Sequence, residues 1–213
     1  ALTEPLSSRL DALHVIEIDR DLIASLHDRF DPSTLTIHEG DALEFDFGIL
    51  PQPLRVVGNL PYNISTPLLF HLARFSGRIV DGHFMLQREV VDRMVARPST
   101  PDYGRLSVTL QARFEMARLF VVGSGAFTPA PKVESAIVRM RPLAASLVAG
   151  AIEPVFQSVV TRAFTQRRKT LRNALAGVAD QALLERLGID PGLRPEALSV
   201  HEFARIAAAL VNR

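Results

Sequence analysis

Four consecutive residues, Asn59-Leu60-Pro61-Tyr62, have the types and spacing needed to act on an exocyclic amino group of a nucleic-acid base. The amino group of adenine is a poor nucleophile, because its lone pair is delocalised into the ring. The side-chain oxygen of Asn59 and a backbone carbonyl near Leu60 can accept its two hydrogens and free the lone pair toward a methyl donor. Pro61 fixes the backbone φ and removes a competing N–H, while Tyr62 offers a π face for the base. The motif predicts methyl transfer by positioning and electrostatic complementarity; the alternative is an ordinary turn between a strand and a helix.

Two carboxylates near the ends of the preceding strands have the chemistry to bind a nucleoside cofactor. Glu17 can accept hydrogen bonds from both ribose hydroxyls. Asp41 can accept from an adenine amino group while a backbone N–H of the segment that includes Ala42 addresses the ring. Glu17 as a surface acid that caps the next helix and Asp41 as part of a Gly-Asp turn are the alternatives. Because ligands of an open α/β sheet bind beyond the carboxyl ends of the strands, Glu17, Asp41 and Asn59 together favour the cofactor site.

Apolar periodicity predicts the elements that must position these residues. A helix is expected after the Asn59 motif, capped by Ser65 or Thr66 with Pro67 at its first position. Strands alternate with helices until two successive strands predict an antiparallel hairpin at the edge of an otherwise parallel sheet. The expected strands are 15–19, 35–38, 54–58, 83–86, 119–122 and 136–140, and the expected helices of this part are 22–30, 89–96 and 105–114.

The pattern changes to helices alone after Pro142. The expected helices are 152–164, 170–175, 182–187 and 199–210, and Ser199 with Glu202 fits a capping box for the last of them. We therefore predict an α/β domain over residues 1–145 and a small, all-helical, RNA-binding domain over residues 146–213.

Composition narrows the class of protein. No run of about twenty apolar residues is present, which favours a soluble globular protein. The chain has no cysteine and shows no cationic apolar leader, so we expect a cytoplasmic location. The six histidines show no metal-ligand spacing, and no metal is predicted.

The net charge of +1 hides an asymmetry. Residues 1–50 hold eleven acids and three bases, whereas residues 155–179 hold five bases and no acid. These five are Arg162, Arg167, Arg168, Lys169 and Arg172. They predict a surface that binds a polyanion, and the alternative is a solvated helix face.

Several segments together resemble the small-subunit ribosomal RNA adenine dimethyltransferases, a family of the Rossmann-like class I methyltransferase fold. The resemblance covers essentially the whole chain. The segments that carry it are 15–22, 39–42, 59–65, Asp102-Tyr103-Gly104-Arg105-Leu106-Ser107, Phe127-Thr128-Pro129-Ala130-Pro131-Lys132-Val133 and 163–175.

The resemblance implies transfer of methyl groups from S-adenosylmethionine to the N6 amino groups of two adjacent adenosines, in a hairpin loop near the 3′ end of 16S rRNA. It assigns Glu17 to the ribose, Asp41 and Ala42 to the cofactor adenine, and Asn59 to the point between cofactor and target base. Tyr62 and Phe127 hold the extruded adenine between aromatic faces. The residues implied to bind RNA are Arg105, Lys132, Arg167, Arg168, Lys169 and Arg172. Phe127 as a core residue of a proline-rich loop is the alternative.

The resemblance has one departure. Family members begin with a strand and a Gly-rich loop, whereas this sequence opens after the place where that loop ends and contains no G-x-G-x-G. We expect either a truncated chain or a leading segment outside this numbering. True truncation predicts weak or no cofactor binding and a gap in the centre of the sheet, and an intact mass near 23.4 kDa supports it.

Two other classes of function stay open on sequence alone. One is a non-catalytic small-subunit assembly factor that binds rRNA, and the other is a DNA adenine methyltransferase with a related motif. The segment from Gln166 to Lys169, which the resemblance marks as particular to the RNA methyltransferase family, makes a DNA substrate less expected. Nothing in the sequence requires more than a monomer.

Overall fold

The computed structural model describes residues 2–212, which divide into two compact units at Pro51 and Gln52. In the first unit, helix α2 connects two parallel strands, and Leu13 pairs with Leu35 at one end of the ladder and Glu17 with Glu39 at the other. The elements of this unit are α1 (Thr3–Ser7), β1 (Leu13–Glu17), α2 (Arg20–Arg29) and β2 (Leu35–Glu39).

Strand β1 ends two residues earlier than the apolar pattern predicts, because Asp19 caps the next helix. Its carboxylate accepts from the backbone N–H groups of Asp21, at 2.9 Å, and Leu22, at 3.2 Å. An aspartate at this position satisfies donors that have no partner inside the helix. Glu17 is thereby placed at the carboxyl end of β1, where the sequence predicts it.

The second unit contains a four-stranded sheet of order β3-β4-β6-β5. β3 and β4 are parallel, whereas β6 pairs antiparallel with β4 on one side and with β5 on the other. The predicted antiparallel hairpin at the sheet edge is confirmed. Its elements are β3 (Leu54–Asn59), α3 (Ser65–Ala73), β4 (Ile79–Gln87), α4 (Arg88–Val95), α5 (Arg105–Gln111), β5 (Phe114–Val122) and β6 (Ser135–Pro142), followed by α6 (Ile152–Thr165), α7 (Leu171–Ala174), α8 (Gln181–Arg186) and α9 (Val200–Val211).

The predicted start of α3 is wrong. The helix begins at Ser65, its N-cap residue is Ile64, and no side chain caps it. Ser65 instead donates its hydroxyl to the carbonyl of Tyr62 at 3.1 Å, so the residue expected to cap the helix closes the preceding turn. The capping box of α9 is confirmed, since Ser199 and Glu202 exchange hydrogen bonds.

The helices after residue 145 share one hydrophobic core with α5 and the segment before it. Phe156 and Phe203 are fully buried there, together with Tyr103 and Val108. Compactness therefore divides the chain at residue 51. The boundary near residue 145, which separates a methyltransferase domain from an RNA-binding domain, concerns function and stays a prediction. Within the described range, no helix has the length and apolar character that crossing a membrane requires.

Candidate active site

In the first unit, the structure brings Glu17 and Asp41 to the same end of the β1–β2 ladder. The carbonyl of Glu17 accepts from the N–H of Gly40 at 2.9 Å, which places the Asp41 loop directly beside β1. Both carboxylates are half-buried. Sequence reasoning predicted this pair from strand ends alone, and the parallel register explains why the two ends coincide.

Each carboxylate uses one oxygen to hold its own loop. Glu17 Oε1 accepts from the N–H groups of Ile18, at 2.9 Å, and Asp19, at 3.0 Å. Asp41 Oδ1 accepts from the N–H of Leu43 at 2.8 Å. Within residues 2–212, the second oxygen of each has no hydrogen-bond or ion-pair partner. A carboxylate held in this way can accept from a ligand hydroxyl or amino group without moving.

In the second unit, the Asn59 motif crosses the end of the sheet from β3 toward β6. The N–H of Leu60 donates to the carbonyl of Met85 on β4 at 3.2 Å. The phenol oxygen of Tyr62 lies 3.0 Å from the hydroxyl of Ser135, the first residue of β6. The loop is thus fixed both to β4 and to β6, and an ordinary turn does not need this attachment.

The side chains of the motif differ in exposure in the way that base recognition requires. Leu60 is buried, whereas Asn59 and Pro61 are exposed and Tyr62 is 39% exposed. Among the described residues, no aromatic ring packs on Tyr62 or on Phe127. Phe127 is half-buried and Lys132 is exposed in the segment between β5 and β6. Neither ring is fully buried.

A cavity of about 520 Å³ brings together two of the predicted RNA-binding arginines. Arg105 and Arg167 line it with Arg93 of α4, which sequence reasoning missed, and with Tyr103. Arg105 lies 5.7 Å from the centre of the Phe70 ring. Burial raises the pKa of Tyr103, and the charge of Glu202 adds to the effect, so its phenol stays protonated.

The remaining basic residues are exposed around the loop from α6 to α7. Arg167 donates to the carbonyl of Pro101 at 2.8 Å and lies 3.8 Å from a carboxylate oxygen of Glu196. The side chains of Arg168, Lys169 and Arg172 have no hydrogen-bond or ion-pair partner among residues 2–212. Their charges are available to a ligand, whereas the charge of Arg167 is partly neutralised by Glu196. In the same part of the chain, no three His, Asp or Glu side chains lie close enough together to hold a metal.

Comparison with known proteins places the chain in a family. The model of the ribosomal RNA adenine dimethylase family matches residues 1–211. The chain belongs to the ribosomal RNA adenine dimethylase family. It is 64% identical over 206 residues to the ribosomal RNA small subunit methyltransferase A of Aromatoleum aromaticum, covering 97% of this chain and 78% of the relative. The protein of the same description from Chromobacterium violaceum is 58% identical over 214 residues, covering 100% of this chain and 82% of the relative.

Two solved structures share the fold. A dimethyladenosine transferase from Plasmodium falciparum superposes with a TM-score of 0.80 at 23% identity, covering 96% of this chain and 84% of the other. The 23S rRNA methyltransferase ErmE gives a TM-score of 0.71 at 26% identity, covering 98% and 86%. The predicted Rossmann-like methyltransferase fold is confirmed.

The family assignment also confirms the enzyme class. Members transfer methyl groups from S-adenosylmethionine to adenine in ribosomal RNA, so methyl transfer, the donor and an RNA substrate are as predicted. A DNA substrate is therefore disfavoured. The free carboxylate oxygens of Glu17 and Asp41 suit the hydroxyls and amino group of the donor's nucleoside, so the residues present fit this cofactor.

Proposed function

We propose that the chain dimethylates the N6 amino groups of two adjacent adenosines in the 3′-terminal hairpin loop of 16S rRNA during assembly of the small ribosomal subunit. The relatives at 64% and 58% identity are described as small-subunit methyltransferases, which supports this choice of RNA. The observation that carries the residue roles is the attachment of the Asn59 motif to β4 and β6. A cytoplasmic monomer with its RNA-binding surface in residues 146–213 is part of the same proposal.

Asn59 and Leu60 act on the target amino group. The side-chain oxygen of Asn59 and the backbone carbonyl of Leu60 accept its two hydrogens and direct the nitrogen lone pair. The N–H of Leu60 is bound to Met85, so the peptide unit between Asn59 and Leu60 is fixed in orientation. S-adenosylmethionine, when bound, would supply an electrophilic methyl group and leave as a neutral thioether. The methylated nitrogen is then cationic and acidic and loses its proton to water after the transfer, so no strong general base is needed. Preorganised acceptors are the main contribution of the protein.

Glu17, Asp41 and Ala42 hold the donor. The free oxygen of Glu17 accepts from the ribose hydroxyls, and that of Asp41 accepts from the adenine amino group. The backbone N–H near Ala42 addresses the adenine ring. The bound oxygens of the two carboxylates keep them in place before the ligand arrives, which lowers the entropic cost of binding.

Tyr62 and Phe127 stack on the extruded adenine, and the basic residues bind the RNA backbone. Stacking of one base on an aromatic ring contributes about 1–3 kcal/mol. Extrusion from a loop costs less than extrusion from a paired helix. The RNA-binding set consists of Arg105, Lys132, Arg167, Arg168, Lys169 and Arg172, with Arg93 added by the cavity.

Methyl transfer from isotope-labelled S-adenosylmethionine to immature small subunits tests the proposal, with mature subunits and naked DNA as parallel substrates. The expected product is dimethyladenosine at two adjacent positions of 16S rRNA, located by mass spectrometry of RNA fragments. RNA binding without transfer points to a non-catalytic assembly factor, and transfer to DNA points to the third function class.

A further inference from the structure

The ring of Tyr62 is attached to the protein through its phenol. Its oxygen lies 3.0 Å from Oγ of Ser135, a residue 73 positions further along the chain. Either oxygen can be the donor. Tyr62 is 39% exposed, whereas Ser135 is 1% exposed. The partly exposed ring of Tyr62 is therefore held by a hydrogen bond between its phenol oxygen and the buried hydroxyl of Ser135.

Ser135 holds a rigid position in the sheet. It begins β6, and it pairs with Gln87 on β4 and with Val122 on β5. The preceding residue, Glu134, accepts from the backbone N–H of Arg88 at 2.9 Å and from its guanidinium at 2.7 Å. With strands on both sides, the hydroxyl of Ser135 is a fixed point against which the ring is set.

The backbone of Tyr62 is held as well. Its carbonyl accepts the hydroxyl of Ser65, which is 2% exposed, at 3.1 Å. Attachment at the carbonyl and at the phenol leaves little freedom about χ1 and χ2, although Tyr62 is partly exposed. An exposed tyrosine that only covers the protein does not need a second attachment.

We propose that Ser135 is a positioning residue for methyl transfer, acting through the ring plane of Tyr62. The inference rests on the proposed function of Tyr62 as the stacking surface for the target adenine. A ring fixed in one plane holds the amino group in line with the donor during the first transfer. It also keeps the monomethylated base seated, or reseats it, for the second transfer. Without Ser135 the ring samples other orientations, and the monomethylated base leaves more often.

The test compares Ser135→Ala, Tyr62→Phe and the double variant with the wild-type enzyme. Both single changes remove the same hydrogen bond and keep the ring. We expect kcat to fall about three- to tenfold, as loss of one net hydrogen bond predicts, with the KM for S-adenosylmethionine unchanged. The ratio of monomethyladenosine to dimethyladenosine, measured by mass spectrometry under single-turnover conditions, should rise. The double variant should be no slower than either single variant.

The product ratio, compared at equal conversion of the unmethylated adenosine, separates positioning from a loss of folded enzyme, because the amount of active protein then changes only the time needed to reach that conversion. Ser107→Ala is the matched control, since Ser107 is also a fully buried serine and its hydroxyl binds the carbonyl of Arg93. It should lower thermal stability without changing the product ratio. Ser135→Thr, which keeps the hydroxyl, should restore the ratio.

Three results would overturn the proposal. One is a wild-type product ratio and kcat for Ser135→Ala, and another is a double variant whose defect is the product of the single defects. If Ser135→Ala does not fold, Tyr62→Phe with a wild-type ratio overturns it alone, because that change lies at the exposed end. Absence of transfer by the wild-type enzyme refutes the proposed function itself, whereas transfer that is insensitive to Ser135→Ala refutes only this inference.

Discussion

Asn59 and Leu60 are neighbours with opposite environments. Asn59 is exposed at the end of β3, whereas Leu60 is buried and its N–H is bound to Met85. Gly58 permits this arrangement, because a Cβ at that position would lie 2.7 Å from Cδ2 of Leu60. The buried leucine therefore sets where the neighbouring asparagine presents its oxygen.

Replacement of Asn59 by alanine should nearly abolish transfer while RNA binding is retained. The side chain is exposed, so its loss leaves the fold intact and removes one acceptor of the target amino group. Preorganised acceptors of this kind contribute a factor of about 100–1,000 to kcat. Single-turnover methylation and filter binding of RNA measure the two effects. Asn63→Ala, an exposed asparagine of the same loop, should keep its activity. An active Asn59→Ala enzyme would refute the assigned role.

The paired imidazoles of His14 and His38 should make the first unit sensitive to acid. Their ring nitrogens lie 3.0 Å apart, and burial, followed by the charge of His14, lowers the pKa of His38. The unfolded chain therefore binds a proton more readily, so stability is full above pH about 6.5 and falls as the pH drops toward the folded pKa. Hydrogen exchange of the β1 and β2 amides between pH 5 and 8 should show faster opening at the acid end. His38→Phe should reduce this dependence, whereas His201→Gln, at an exposed position of α9, should not. Equal pH dependence in all three proteins would contradict this explanation.

At the scale of elements, the sequence predicts which segments form strands and helices. It misplaces the boundary of an element where a polar side chain binds the backbone next to that boundary. The segment 15–19 is predicted to be a strand throughout, yet the carboxylate of Asp19 binds N–H groups at the start of α2. Ser65 similarly binds a carbonyl behind it rather than an N–H ahead of it. Periodicity carries no information about such choices, because they depend on the backbone of the adjoining turn.

The loop from α6 to α7 should supply much of the affinity for RNA through charge alone. Arg168 and Lys169 are exposed and have no partner among the described residues, so their full charges can meet phosphates. Changing both to glutamine should weaken RNA binding and reduce the slope of log affinity against log salt by about 1.4–1.8. Salt titrations by fluorescence anisotropy measure this slope. Arg186→Gln, on the exposed side of α8, is the control and should leave the slope unchanged. An unaltered slope in the double variant would show that these two residues belong to a solvated surface that does not bind RNA.

The candidate site was predictable to the extent that it consists of strand ends. Glu17 and Asp41 lie at the carboxyl ends of the two parallel strands of the first unit, which end at the same side of their ladder, and Asn59 ends β3 in the second unit. Ser135 and Arg93 were missed, because nothing in their local sequence indicates that one meets a tyrosine 73 residues away or that the other lines a cavity. Contacts of this kind depend on the sheet order, in which β6 lies between β4 and β5.

At the scale of the whole molecule, one buried charge joins the turn between α5 and β5 to α6. The side chain of Arg113 is 3% exposed and lies 2.5 Å from a carboxylate oxygen of Glu153 on α6. It also donates to the carbonyl of Thr109 at 3.3 Å. The contact with Glu153 is an ion pair without the angle of a hydrogen bond. Its main effect is to neutralise a cation that is shielded from water.

Glu153→Gln should destabilise the second unit, because it leaves Arg113 buried without a counter-charge. Glu153 is 40% exposed, so water partly compensates and we expect a loss of about 1–3 kcal/mol in the free energy of unfolding. Urea denaturation followed by circular dichroism measures it. Glu185→Gln, which alters only an exposed contact with Gln181, should cost less than about 0.5 kcal/mol. Equal effects of the two changes would show that the buried pair contributes nothing.

Because β6 lies between β4 and β5, the sheet cannot be completed until this late segment of the chain has been synthesised. A nascent chain can form the β3–β4 pair early, but the other edge of β4 stays unpaired until residues 135–142 have been synthesised. An open strand edge invites pairing with other chains. The same late segment delivers Ser135 to Tyr62. Closing the sheet and fixing the ring of Tyr62 are therefore one event in biosynthesis, and a nascent chain that stops before Ser135 carries the Asn59 motif with its attachment to Met85 but without the one that fixes its tyrosine ring.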